Sequence, residues 1–226
     1  MPFVAKPSGG YTISSTEGTN NIYMVYNYLA PLGYTKECIS GMLGNIYAES
    51  GLNPWRWQNN TVNYAAGYGL MQFTPASQYI YLNGIPNHSP NLSTSEQTAG
   101  ATPDDGLAQL YVFDNDILSK WYSPLWRSYW SSTDYPLQYT IAQNCLLEYG
   151  TAGQLSMAQF KAIDELTYAT MAFLGCYEGP AVPNFDTRYA YAQQIYAILL
   201  PYGGRDDTLV VLKVLDTQQK RKFQNI

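Results

Sequence analysis

The chain has 226 residues, of which 46% are hydrophobic, 15% aromatic and only 13% charged, and its formal net charge is −5. A chain this apolar can form a packed core, which excludes disorder along its whole length, and it lacks the run of about 18 apolar residues that a membrane-spanning helix needs. The negative charge argues against a nucleic-acid-binding protein, because such proteins usually present a basic surface.

The numbers of cysteines and histidines limit the kinds of catalytic site that this chain can form. Cys38, Cys145 and Cys176 are odd in number and widely spaced, which predicts small core residues rather than a disulfide framework or a zinc site. Zinc, serine and cysteine hydrolases generally need histidines as ligands or as the base, whereas this chain has only His88, in a polar stretch. We therefore expect no metal and no cofactor, and we expect any acid–base chemistry to belong to carboxylates.

The apolar spacing predicts a mainly helical chain. A first helix ends at Pro31. A second helix begins after the N-cap residue Thr35, carries an apolar stripe between Ile39 and Tyr47, and ends at Gly51.

The pattern then changes to asparagines, glycines and aromatic residues from residue 55 to residue 73, which predicts a small β-hairpin beside the second helix. Thr74 and Pro75 open a short helix that Gly84 closes. The segment from Gly84 to Asp105 is predicted to be a long polar loop.

Helical patterns continue towards the C-terminus. Apolar positions between Leu107 and Trp121 predict one helix, and further patterns cover residues 134–149, 156–176 and 186–202. The composition shifts after two glycines at 203 and 204. We therefore expect one helical domain over residues 1–204 and a C-terminal extension over 205–226, which we interpret as an appended strand or docking arm.

Glu49 is a candidate catalytic carboxyl because of its position on the predicted second helix. On a helix with about 100° per residue it lies roughly 90° from the centre of the apolar stripe, at the border between core and solvent and in the last turn. Partial burial and the negative end of the helix dipole both favour the protonated carboxyl, which suits a general acid. The alternative is an exposed glutamate near a helix end, and periodicity by itself favours that alternative.

The predicted hairpin places aromatic residues directly after Glu49. Trp57, Tyr68 and Phe73 offer flat faces that suit the C–H faces of sugar rings. A chain with 22 tyrosines can equally have an aromatic-rich core, so these residues are weak indicators of a sugar site.

Asp114 falls in register with apolar residues of the predicted helix between Leu107 and Trp121. A buried carboxylate without a partner is costly, so this side chain is expected to have a partner or a functional role. We favour a structural role in hydrogen bonding.

Three motifs carry a resemblance to a known family. Residues 49–54 (ESGLNP) and 69–72 (GLMQ) look like the signature of goose-type lysozymes and soluble lytic transglycosylases, in which a glutamate ends a helix and a GLMQ-like strand faces it across the glycan groove. With residues 172–184 (AFLGCYEGPAVPN), they resemble phage tail lysozymes, peptidoglycan-cleaving domains at the tail tips of short-tailed phages of Gram-positive bacteria. The region from residue 122 to residue 157 is longer than the family pattern and does not match it.

The resemblance implies a lysozyme-like α+β fold and roles for particular residues. Glu49 matches the catalytic acid, and Gln72 matches a residue that lines the groove near the scissile bond; its alternative is a side chain bonded to backbone. An acidic residue also occurs at the position of Asp114. Glu178 matches an acidic residue that the family writes before Arg-Pro, although Gly179 stands here in place of the arginine.

The function implied is a peptidoglycan-degrading glycosidase that cleaves the β-1,4 bond between N-acetylmuramic acid and N-acetylglucosamine, with Glu49 as general acid. Water completes hydrolysis, or the muramic 6-hydroxyl closes a 1,6-anhydro ring as in a lytic transglycosylase. No second carboxylate is clearly paired with Glu49 in the sequence, which fits single-acid chemistry better than a retaining pair. A structural tail protein that binds glycan without cleaving it is the alternative from another class.

The resemblance also implies partners and a location. The expected partners are peptidoglycan glycan strands and, through the C-terminal extension, other phage tail proteins. The expected location is the tail tip or tail knob of the virion, where the protein would act on the bacterial cell wall.

Overall fold

A computed structural model of the chain describes residues 2–7, 9–90 and 105–203. The predicted extension over 205–226 and residues 91–104 of the predicted polar loop lie outside the described residues. The described part is mainly helical, which confirms the predicted class. No helix in it is long and apolar enough to cross a membrane.

Eight α-helices follow one another within the described ranges: α1 (Thr16–Leu29), α2 (Lys36–Ser50), α3 (Ala76–Ile80), α4 (Asp105–Asp114), α5 (Pro136–Tyr149), α6 (Met157–Lys161), α7 (Leu166–Phe173) and α8 (Phe185–Leu199). A π-helical turn, Leu174–Glu178, continues α7, and short 3-10 turns lie at Ala30–Leu32, Gln58–Asn60 and Leu200–Gly203.

Helix α2 is the buried centre of the fold and packs mainly against α8 and α7. Thr35 caps its start, as predicted, by accepting a hydrogen bond from the backbone N–H of Cys38 at 3.0 Å. Gly51 ends the helix in the left-handed conformation, with φ of 59°. Every residue from Cys38 to Ile46 is buried, so the predicted apolar stripe is part of a helix enclosed on all sides.

Two glycines of α2 allow its neighbours to approach closely. A Cβ at Gly41 would lie 2.6 Å from the backbone nitrogen of Thr170 in α7, and a Cβ at Gly44 would lie 2.5 Å from the carbonyl oxygen of Arg188 in α8. The backbones of α2 and α8 therefore touch near the middle of α2, which brings the N-terminal part of α8 alongside the last turns of α2.

The core around α2 is rich in aromatic side chains, with Trp55, Phe113, Phe160 and Phe173 among the largest that are fully buried. The three cysteines are free thiols buried in this core, as predicted.

The predicted β-hairpin does not form. Residues 55–73 form a loop with isolated bridges between Trp57 and Tyr68 and between Tyr68 and Phe73, and the described residues form no sheet. The backbone N–H of Leu70 donates to the side-chain oxygen of Gln109 in α4 at 2.6 Å. A side chain about 40 residues away thus helps to hold this loop.

Three predicted helices are shorter than expected. The pattern over 156–176 divides into α6 and α7, because the side chain of Glu165 caps the start of α7 by accepting from the N–H of Tyr168 at 2.7 Å. Helix α4 ends at Asp114 rather than near Trp121, and α3 ends at Ile80, before the predicted stop.

Replacing Gly44 with alanine is expected to lower the free energy of unfolding by about 1–3 kcal/mol, because the new methyl group would clash with the α8 backbone and this cost exceeds the gain in helix propensity. Urea denaturation measures the change. Asn144→Ala, on the exposed side of α5, is the control and should stay within about 0.5 kcal/mol of the parent protein. A Gly44→Ala protein as stable as the parent would contradict the close packing of α2 and α8.

Candidate active site

A cleft of about 490 Å³ lies at the C-terminal end of α2. Its walls come from the last turn of α2, from the loop over residues 55–74, from Lys120, and from residues 177–180. Three of the residues predicted from sequence, Glu49, Gln72 and Glu178, line it together.

Glu49 lies in the last turn of α2, and its side chain is 29% exposed. The buried Arg188 of α8 donates from Nη2 to Glu49 Oε1 at 2.5 Å, and from Nη1 to the carbonyl and side-chain oxygens of Asn45 at 3.4 and 3.3 Å. This ion pair places a buried positive charge directly against the carboxyl of Glu49.

Glu178 is the second carboxyl of the cleft, at the end of the π-helical turn. Its Oε1 atom is buried and has no hydrogen-bond partner among the described residues. Burial and the negative charge of Glu49 raise the pKa of Glu178 to about 8, against the opposing charges of Arg188, Lys120 and Arg127. Glu178 therefore holds a proton at neutral pH. The sequence did not clearly pair a second carboxylate with Glu49, and the structure brings Glu178 into the same cleft.

Arg127, in the segment between α4 and α5, supplies a positive charge next to Glu178. Its Nε donates to the carbonyl oxygen of Gly175 at 2.5 Å. A Cβ at Gly179 would lie 2.6 Å from the guanidinium carbon of Arg127, and Gly179 has a φ of 53°. The family's arginine is thus absent at position 179, and another arginine lies over that glycine.

Gln72 lines the cleft in a left-handed backbone conformation, with φ of 44°. Its Nε2 donates to the carbonyl oxygens of Arg56 at 3.1 Å and Gly69 at 2.9 Å. These bonds agree with the alternative of a side chain bonded to backbone, and they fix the amide in the cleft wall. A role for Gln72 in orienting substrate stays a prediction.

The predicted aromatic sugar-binding residues are buried in the core and do not line the cleft: Trp57, Tyr68 and Phe73. The hydroxyl of Tyr68 donates to Oδ2 of the buried Asp105 at 3.1 Å. Gln109 donates to the same oxygen at 2.7 Å and also binds the loop through Leu70. These contacts hold the backbone that carries Gln72, and sequence reasoning missed both Asp105 and Gln109.

Asp114 has the partners that its register predicted. Its Oδ1 accepts from the hydroxyl of Tyr34 at 2.9 Å and from the ammonium group of Lys161 at 2.7 Å. Asp114 does not line the cleft. Its contacts agree with the structural role that we favoured.

Arg188 was missed in the sequence, although a signal was present. It falls in helical register with Phe185, Ala192 and Ile195, all of which are buried. A charged residue within an apolar stripe was the signal used for Asp114, and the same test identifies Arg188. Lys120 and Arg56, which also line the cleft, carry no such signal.

Comparison with known proteins identifies the family to which the chain is similar. The sequence profile described as "phage tail lysozyme" matches residues 20–199, which confirms the resemblance drawn from the motifs. A segment of 69 residues is 48% identical to Morphogenesis protein 1 of Bacillus phage B103. That segment covers 30% of this chain and 19% of the relative, so the match extends over about a fifth of the relative's length.

Stability is expected to fall as pH rises from the ordinary glutamate value of 4.5 to about 8, because in this window the folded protein holds a proton on Glu178 that the unfolded chain has released. Glu178→Gln should flatten this part of the pH profile. Thermal unfolding in a series of buffers measures the slope. Glu148→Gln, an exposed carboxyl of α5, is the matched control, and an equal slope in the parent and Glu178→Gln proteins would refute the assignment.

Proposed function

Because the chain belongs to the phage tail lysozyme family, we propose that this lysozyme-like protein is a peptidoglycan-degrading glycosidase that cleaves the β-1,4 bond between N-acetylmuramic acid and N-acetylglucosamine. The observation that carries the proposal is a pair of carboxyls, Glu49 and Glu178, which line one cleft in unlike electrostatic surroundings. Arg188 forms an ion pair with Glu49, and burial raises the pKa of Glu178 to about 8.

One charged and one protonated carboxyl form the combination that glycoside cleavage uses. The protonated group supplies a proton to the leaving oxygen, and the negative charge stabilises the positive charge that develops on the sugar. Because the negative charge of Glu49 contributes to the raised pKa of Glu178, the proton on Glu178 depends on its neighbour in the cleft.

In the proposed reaction Glu178 passes its proton to Glu49 once substrate is bound, and Glu49 then delivers this proton to the glycosidic oxygen as the general acid. The motif supports this assignment, since Glu49 stands at the position of the family's acid. Glu178 holds the proton in the free protein. After the proton has been transferred, its carboxylate stabilises the positive charge that develops on the sugar.

The ion pair with Arg188 favours a second assignment of the same two groups. In this version Glu178 donates the proton directly, and the carboxylate of Glu49 stabilises the positively charged sugar. Both versions use the same cleft and the same bond, so they differ only in which carboxyl gives up the proton.

The fate of the sugar separates two products. Attack by water gives a reducing end, as in a hydrolase, whereas attack by the muramic 6-hydroxyl gives a 1,6-anhydro end, as in a lytic transglycosylase. We propose hydrolysis as the preferred reaction and transglycosylation as the alternative.

We also propose that the protein acts at the tail tip or tail knob of a phage virion, with glycan strands as substrate. Residues 205–226 are proposed to bind other tail proteins. Attachment to a virion raises the local concentration at the wall, which offsets the absence of electrostatic attraction between a chain of net charge −5 and an anionic surface.

Mass spectrometry of muropeptides released from Gram-positive peptidoglycan tests the activity. Glu49→Gln is expected to lower release by about 10²–10⁴-fold, the range typical for loss of a general acid. Glu148→Gln should release muropeptides at the parent rate. Reducing ends would identify a hydrolase and anhydro-muramic ends a transglycosylase. Parent protein that binds walls but releases nothing would overturn the enzymatic proposal in favour of the binding protein.

A synthetic substrate with a dinitrophenyl leaving group distinguishes the two acid assignments, because such a group departs without protonation. If Glu49 donates the proton, Glu49→Gln should recover activity on this substrate relative to peptidoglycan, whereas Glu178→Gln should not. Recovery in Glu178→Gln only would establish the second assignment instead.

A further inference from the structure

Four aromatic side chains form a cluster beside the cleft, which we call the aromatic shelf: Trp126, Tyr129, Trp130 and Tyr139. Their ring centroids lie 5.2 Å apart for Trp126–Trp130, 5.2 Å for Trp126–Tyr139 and 6.1 Å for Tyr129–Trp130, all in edge-on geometry. Trp130 is buried, whereas Tyr129 is 58% and Tyr139 38% exposed. The shelf therefore has a buried base and an exposed upper surface.

The shelf is attached to the cleft wall through two hydrogen bonds. Trp130 Nε1 donates to the carbonyl oxygen of Pro180 at 2.8 Å, and the hydroxyl of Tyr129 donates to the carbonyl oxygen of Gly179. Pro180 lines the cleft, and both carbonyl groups follow Glu178 directly in the chain. The exposed rings thus continue the surface of the cleft just past its second carboxyl.

The hydroxyl of Tyr129 donates to the carbonyl oxygen of Gly179, and the residue as a whole is 58% exposed. This bond and the contact with Trp130 hold the ring in place before a ligand arrives, which reduces the entropy lost on binding. Exposed, held aromatic residues next to a cleft are typical of binding sites.

We propose that the aromatic shelf is a subsite for one sugar of the glycan strand beyond the cleaved bond, with the ring of Tyr129 as the stacking face. The proposal rests on the proposed function, since the occupant is the same N-acetylhexosamine polymer. A polymer bound in the cleft continues past its ends, and the shelf is continuous with the wall at Pro180. The C–H face of a sugar ring matches the apolar face of an aromatic ring.

Strand length is the variable that tests this proposal. Purified glycan strands, separated by length, are titrated calorimetrically into the Glu49→Gln protein, so that they are bound without being cut. Tyr129→Ala in the same background is expected to weaken binding of long strands by about tenfold, the effect of losing one well-placed aromatic contact. The loss should be smaller for short fragments that fill only the cleft.

Two further variants separate stacking from a structural effect. Tyr129→Phe keeps the ring and loses the bond to Gly179, so it should bind long strands far better than Tyr129→Ala. Leu147→Ala, at an 84% exposed position of α5, is the control and should bind as the parent does. Equal losses in Tyr129→Ala and Tyr129→Phe, or equal losses for long and short strands, would overturn the subsite.

The outcomes for the subsite and for the reaction are distinct. Equal losses of affinity for long and short strands in Tyr129→Ala, with muropeptide release still dependent on Glu49, would refute the shelf and leave the proposed function intact. Length-dependent binding through Tyr129, with no release by the parent protein, would support the shelf and refute the proposed reaction.

Discussion

The contact between Arg188 of α8 and Glu49 of α2 is the interaction on which the cleft depends. A buried guanidinium is costly unless it is paired, and Arg188 is paired with Glu49 and with both oxygens of Asn45. The contact exists because Gly44 lets α8 lie against α2. It holds the carboxyl of Glu49 in the cleft, and the negative charge of Glu49 adds to burial in raising the pKa of Glu178. The shifted pKa of Glu178 therefore depends in part on the packing of two helices.

The ends of helix α2 were predictable because residues next to them in the chain determine them. The cap at Thr35 and the left-handed stop at Gly51 follow from neighbouring residues, and the structure confirms both. The loop that stands in place of the predicted hairpin could not be predicted. Gln109 and Asp105, which hold residues 55–73, are distant from them in the chain. Alternating aromatic residues and glycines are equally compatible with a strand and with a loop that is held by distant side chains.

The candidate site was predictable in part for a similar reason. Motifs identified Glu49, Gln72 and Glu178, which the structure places in one cleft. The burial of Trp57 and Tyr68 could not be predicted, because an aromatic residue beside a site has the same sequence signal whether it faces substrate or core. The unlike surroundings of the two carboxyls were also inaccessible, because they depend on Arg188, more than 130 residues from Glu49 along the chain.

The central claim is that the free protein carries one protonated carboxyl in the cleft and that this carboxyl is Glu178. Carbon NMR of protein labelled at the glutamate carboxyl carbons measures this directly. The structure predicts one glutamate that titrates near pH 8 and is missing from the spectrum of Glu178→Gln. Titration of every glutamate near its ordinary pKa, or assignment of the shifted resonance to Glu49, would contradict the account.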